Sequence, residues 1–139
     1  MVFNRLFLDS DVLLDMLLNR KPFYYYVQAL LTISEKHHLQ IYTSSLAAAN
    51  IHYILAREIG SAEARKKIKE LINAIKILPF ESESIESAIN SRFSDLEDAI
   101  QHFIAKRYNC NAIITRNIKD YKHSEIPAFT AEDFLRQIL

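Results

Sequence analysis

The stretch RLFLDSDVLLDMLL, residues 5–18, changes its hydrophobic period at a single aspartate. Before Asp9, the residues Leu6, Phe7 and Leu8 follow one another without a polar break, as in a strand buried on both faces. After it the apolar residues recur at helical spacing. The stretch therefore predicts a short strand at 5–8 that feeds a helix over about 11–19.

The same alternation runs along the rest of the chain. PFYYYVQALLTISEKHH (22–38) reads as a helix with Pro22 in its first turn, its tyrosines packing rather than stacking on bases. LQIYTS (39–44) reads as a second strand. SSLAAANIHYILARE (44–58) and SAEARKKIKELINAI (61–75) read as two helices separated by Gly60. KILPF (76–80) is a third strand, a helix covers about 82–91, and a further helix opens at SDLEDAIQ (94–101). NAIITR (111–116) and IPAFT (126–130) supply strands four and five, and AEDFLRQIL (131–139) closes as a helix. Strands alternating with helices predict an α/β fold, a three-layer α/β/α sandwich around a mainly parallel sheet of four to five strands. With no linker, repeat or low-complexity segment, residues 1–139 read as one domain.

Composition excludes several classes of function. Half of the 139 residues are hydrophobic, as expected of a globular chain, and 17 basic residues balance 17 acidic ones, so any charged-ligand site must arise by local segregation. Gly60 is the only glycine, which rules out a P-loop or a G-x-G-x-x-G turn. The five histidines show no zinc spacing, and each reads as a surface or partly buried residue. Cys110 alone cannot form an internal disulfide. Asp9, Asp11 and Asp15 interrupt the hydrophobic N-terminus, so it reads as neither signal peptide nor membrane span. A cytoplasmic protein without membrane attachment is expected.

The acidic residues fall where they matter for such a sheet, because ligands bind beyond the carboxyl ends of its strands. Asp9 follows the first strand. Thr115, Asn117 and Asp120 follow the fourth, in TRNIKDY. The helix at 94–101 runs just before that strand, so a right-handed crossover brings its start, with Asp95 and Asp98, to the same edge. Local roles compete with this reading. Asp9 can cap the helix that begins near Asp11, Asn117 is a turn former, and Ser94 with Glu97 reads as a capping box that accounts for Glu97 without a function. Asp95 gains from the helix dipole. On the helical wheel Asp95, Asp98 and His102 share a sector opposite Leu96, Ile100, Phe103 and Arg107, the pattern of a solvated face.

Magnitude favours a joint role. Two carboxylates about 4 Å apart repel by roughly 4 kcal/mol at an effective dielectric of 20, more than a cap or a helix dipole returns. Such a cluster persists only with bound protons or a bound cation, and oxygen donors without His or Cys select Mg²⁺ or Mn²⁺.

These segments together resemble the PIN domain family, and within it the toxin nucleases of VapBC-type toxin–antitoxin pairs. LFLDSDVLLDMLL resembles the family's opening strand and Asp-Thr-Asn-Val-Leu, DLEDAIQHFIA its central Asp-x-x-Asp-Ala helix, and IITRNIKDY its Thr-Arg-Asn-x-x-Asp-Phe segment. Order and spacing match along essentially the whole chain. The resemblance implies a Mg²⁺- or Mn²⁺-dependent ribonuclease that leaves a 5′-phosphate and a 3′-hydroxyl. It implies Asp9 and Asp98 as principal metal ligands, Asp120 with Asn117 in the fourth acidic position, Asp95 as an auxiliary ligand, Asp11 in support and Thr115 orienting the loop. Arg116 and Lys119 would meet substrate phosphates, whereas the basic helix at 64–70 reads as a solvated face. A homodimer, an RNA substrate and an antitoxin whose tail fills an apolar groove beside the cleft are also implied.

One departure stands out. Many PIN nucleases carry a glutamate early in the helix after the second strand, and this chain has Asn50 there, an oxygen donor without charge. An alternative is therefore a PIN-like RNA- or protein-binding module with a weakened metal site. A second alternative is a haloacid-dehalogenase-like phosphatase, which FLDSDVLLD also resembles, with Asp9 as nucleophile and Asp11 as general acid. That family uses a longer chain and has no place for TRNIKDY.

Overall fold

A computed structural model describes residues 2–139. Its elements are β1 (Arg5–Leu8), α1 (Ser10–Leu17), α2 (Phe23–Ser34), β2 (Gln40–Ser44), α3 (Ser45–Ile59), α4 (Ser61–Ala74), β3 (Lys76–Leu78), α5 (Ser82–Ile89), α6 (Leu96–Arg107), β4 (Ala112–Ile114), a 3₁₀ turn (Ile118–Tyr121), β5 (Ala128–Phe129) and α7 (Ala131–Ile138). The strands form one sheet in the order β3-β2-β1-β4-β5, every pair parallel. β1 lies at the centre, with Leu6 in register with Ile41 and Ala112, and Phe7 with Tyr42 and Ile113.

Alternation along β1 divides the core into two layers. Leu6 and Leu8 point into one hydrophobic cluster with Leu13, Leu30, Ile51, Leu71 and Phe134, built from α1, α2, α3, α4 and α7. Phe7 points to the other side and packs with Leu78, Ile104, Ile113 and Tyr121 under α5 and α6. The side chains of Leu6, Phe7 and Leu8 are completely buried, which explains the unbroken apolar run. The three-layer arrangement with helices on both faces is thus the one expected from the alternation of strands and helices.

Boundaries differ where side chains have other work. β4 stops at Ile114, because Thr115 and Arg116 leave the sheet to serve the loop that follows. Gly60 joins α3 to α4 at φ +86°, a backbone conformation that an L side chain rarely adopts, and its N–H closes α3 on Ala56 O.

The first turn of α6 departs from both expectations for it. Asp95, not Ser94, is the N-cap and accepts the Asp98 N–H at 2.9 Å, so the Ser94–Glu97 capping box does not form. His102 does not face solvent. It is completely buried, packed tilted against Phe93 and edge-on to Phe103, with Nε2 accepting the Glu125 N–H at 3.0 Å, whereas Leu96 on the supposed apolar face is 51% exposed. The wheel shows the period of the helix and not the segments that cover it, here the loop around Phe93 and the chain at Glu125. Among the described residues no helix is long and apolar enough to cross a membrane.

Candidate active site

Parallel strands all end at one edge, and the loops leaving that edge carry the acidic residues. Asp9 sits immediately after β1, its backbone N–H held by Ile114 O at 2.9 Å, so its position is set by the β1–β4 pairing. Its side chain spans two duties. Oδ1 caps α1 by accepting the Ser10 N–H at 2.8 Å, and Oδ2 accepts the Thr115 hydroxyl at 3.0 Å. Capping and site geometry are therefore the same arrangement.

Thr115 is fully buried and is fixed by its N–H to Phe129 O. Its Oγ1 donates to Asp9 and accepts the Asn117 N–H at 3.1 Å, which turns the chain out of β4. Asp11, in the first turn of α1, pins that turn from outside. Its Oδ2 accepts the Asn117 side-chain amide at 3.0 Å and the Arg116 N–H at 3.3 Å, while its buried Oδ1 has no partner. Asn117 thus serves Asp11 and the loop. Asp120 follows in the exposed 3₁₀ turn, with Lys119 exposed beside it.

Electrostatics join what hydrogen bonds do not. Burial, opposed by hydrogen bonds from Ser10, Thr115 and Tyr121 and reinforced by Asp120, pushes the Asp9 pKa up. Burial and then Asp9 push Asp11 up to about 6. Burial pushes Asp98 up to about 7, with further contributions from Asp9, Asp95, Asp120 and Glu97. Asp9, Asp98 and Asp120, from three separate segments, are hence within mutual Coulombic reach, with Asp95 alongside.

Tyr121, only 4% exposed, completes the floor. Its hydroxyl faces Asp9 and Asp98, and burial and then their charges, with a bond to the Asp9 carboxylate, push it far above the ordinary phenol range.

Two other acids complete the surroundings. Asp15, one turn beyond Asp11 on α1 and completely buried, takes the Arg116 guanidinium at 2.9 Å, and Arg116 lies over the Phe23 ring at 4.2 Å. Arg116 is therefore held rigidly at the cleft edge. Across the cleft, the Asn50 amide on α3 donates to Glu97 Oε1 on α6 at 2.7 Å. Asp15, Tyr121 and Glu97 were not among the expected site residues. The i, i+4 spacing of Asp11 and Asp15 signalled the first, whereas the other two depend on contacts between distant segments.

The donors are hard oxygens, suited to Mg²⁺ or Mn²⁺ and not to zinc, and the Tyr121 hydroxyl and the unpartnered Asp11 Oδ1 border the cluster. As the side chains stand, no three His, Cys, Asp or Glu residues among those described converge closely enough to ligate one ion directly. Mg²⁺ ordinarily keeps several of its waters and takes one or two carboxylates directly. Asp9, Asp98 and Asp120, with Asp95 alongside, are the residues that could hold it.

A groove lies next to this cluster rather than in it, between α1, α2 and α7, lined by Val12, Phe23, Tyr26, Val27, Arg116 and Asn117.

Residues 5–119 match the family model described as PIN domain. The chain is 30% identical over 135 residues to ribonuclease VapC1 of Aquifex aeolicus (strain VF5), an alignment covering 94% of this chain and 92% of that protein. Its fold is similar to that in the DNA-bound VapBC structure from Salmonella typhimurium, with TM-score 0.75 at 10% identity over 92% of this chain and 98% of that one. It is also similar to Mycobacterium tuberculosis VapC20, described as a sarcin-ricin loop cleaving toxin, with TM-score 0.67 at 11% identity over 88% and 98% of the two chains.

Proposed function

This chain belongs to the PIN domain family, and from that premise we propose that it is the toxin of a toxin–antitoxin pair, an endoribonuclease that hydrolyses RNA phosphodiester bonds with Mg²⁺ or Mn²⁺ at the Asp9–Asp98–Asp120 cleft. The observation that carries the reading is the gathering of Asp9 from the β1 end, Asp98 from the first turn of α6 and Asp120 from the 3₁₀ turn after β4 at one edge of the parallel sheet, where burial and the neighbouring acids push the Asp98 carboxyl up to about 7. Acids gathered from unlike segments are offset by bound protons or by a cation, and oxygen donors without His or Cys suit Mg²⁺ or Mn²⁺.

Each residue has a task. Asp9 and Asp98 are the principal ligands, Asp120 with Asn117 the fourth acidic position, and Asp95 an auxiliary oxygen. Thr115 aims Asp9, and Asp11 holds the Asn117 turn. When bound, the divalent ion would acidify a water and stabilise the charge developing on the phosphodiester. Lys119 and the fixed guanidinium of Arg116 meet substrate phosphates on the open side of the cleft. The product carries a 5′-phosphate.

The working protein is read as a cytoplasmic homodimer bound by an antitoxin. Exposed Ile85 and Ile89, one turn apart on α5, support a partner copy, and the apolar groove beside Arg116 supports an antitoxin segment. RNA incubated with the parent and with Asp98→Asn, in Mg²⁺ or Mn²⁺ with and without chelator, tests the activity. Cleavage by the parent alone, abolished by chelator, is expected. Equal cleavage by the two proteins overturns the assignment.

A further inference from the structure

Asn50 stands on the α3 wall of the cleft and brings no charge, yet it is not idle. Its amide donates to Glu97 Oε1 at 2.7 Å across 47 positions of sequence. Glu97 is free to make this contact because the helix start is already served, the Asp95 carboxylate having taken the Asp98 N–H. A surface glutamate in a first turn ordinarily remains in water. Here, still exposed, it is tied to the α3 wall by a charge-assisted bond, next in sequence to Asp98. The buried Tyr121 hydroxyl turns to Asp9 and Asp98, and the buried Asp11 Oδ1 beside Asp9 is left without a partner, so polar atoms of the neighbouring cluster remain for a ligand.

We propose that Glu97 is a further carboxylate of the metal centre, and that Asn50 is its positioning residue. The acid of that wall is then delivered from α6 and held by an amide from α3. The chemistry of the pair favours this division. Two carboxylates facing one another here would repel, whereas an amide and a carboxylate bond, leaving Glu97 Oε2 and Asn50 Oδ1 for a hard cation or its waters. Charge count and donor type are both preserved.

The inference rests on the metal-dependent reading above, and calorimetric titration with Mn²⁺ separates the two. The parent is expected to bind Mn²⁺ and Asp98→Asn to lose it. Glu97→Gln should weaken Mn²⁺ binding by about tenfold or more, in the range seen when metal-site carboxylates or their supports are removed, with the urea midpoint of the metal-free protein unchanged. The double variant Asn50→Glu with Glu97→Gln reverses amide and acid while keeping the bond, and should recover most of the lost affinity. Parent-like Mn²⁺ binding by Glu97→Gln, alongside a defective Asp98→Asn, overturns the role of Glu97 and leaves the nuclease reading intact. A double variant as weak as Glu97→Gln overturns the pairing. A parent that gives no Mn²⁺ heat overturns the metal-dependent reading and this inference with it.

Discussion

The Thr115 hydroxyl donates to Asp9 Oδ2 at 3.0 Å while accepting the Asn117 N–H at 3.1 Å, so one buried oxygen couples the end of β1 to the loop after β4. Thr115→Val keeps the shape and removes both bonds. Leaving Asp9 Oδ2 and the Asn117 N–H without this partner should destabilise the fold by about 1–2 kcal/mol, read as a lower urea midpoint. Mn²⁺-dependent RNA cleavage should fall by about tenfold, as for other supports of metal ligands, and Thr115→Ser should restore it. A Thr115→Val protein that cleaves at the parent rate would show that Asp9 needs no such support.

Asp98 is held among like charges, so in the absence of metal the cleft opposes folding. Because Asp98 is partly exposed, solvent screening reduces the repulsion relieved by Asp98→Asn to about 1 kcal/mol. The metal-free variant should melt roughly 2–4 °C above the parent. Mn²⁺ at 100 times its Kd should stabilise the parent by about 3 kcal/mol and leave the variant nearly unchanged. Thermal melts with chelator and with Mn²⁺ check both signs. A variant that melts below the parent without metal contradicts the repulsion.

The parts of this site readable from sequence are those set by short-range order. Asp9 follows an apolar run that could only be a buried strand, and Thr115, Asn117 and Asp120 follow another. Parallel pairing then forces these ends to one edge. What the periodicity concealed depends on which distant segment covers a helix. His102 shares a wheel sector with Asp95 and Asp98 but is buried, because the Phe93 loop and the chain at Glu125 close over it. Glu97 fits a capping box in sequence, yet Asp95 takes the cap and Asn50, 47 residues away, takes Glu97. A departure from the family's pattern at position 50 was the visible trace of that pairing.

Asp15 is completely buried on α1, and Arg116 is its near partner at 2.9 Å, with Arg20 at 3.9 Å. The two ends of the pair are unequal. Without Asp15, Arg116 can turn to water. Without Arg116, the Asp15 carboxylate stays buried with only the distant Arg20. Arg116→Ala should therefore cost about 2–4 kcal/mol and exceed Asp15→Asn, given that breaking a buried pair from one side is costly and that Arg116 is partly exposed. Urea unfolding of both variants measures the difference, and an equal or reversed order would mean that Asp15 is neutral in the fold.

His102 makes the fold sensitive to acid. Burial, which outweighs the pull of Glu125, lowers its pKa from 6.5 to about 4, and Nε2 must stay unprotonated to accept the Glu125 N–H. The unfolded chain binds this proton at a higher pH than the folded one. The stabilisation is therefore fully present above pH 6.5 and is lost as pH falls towards 4, with a total of about 3 kcal/mol at 1.36 kcal/mol per unit. The raised carboxyls of Asp11 and Asp98 act with the opposite sign, since their protonation in the fold offsets part of the loss. Comparison with His102→Gln isolates the histidine, because the glutamine can still accept the Glu125 N–H but does not titrate. Between pH 6.5 and 4 the parent should lose stability relative to this variant by up to about 3 kcal/mol, measured as urea midpoints at matched pH. Parallel pH profiles for the two proteins would mean that His102 titrates alike in the folded and unfolded chains.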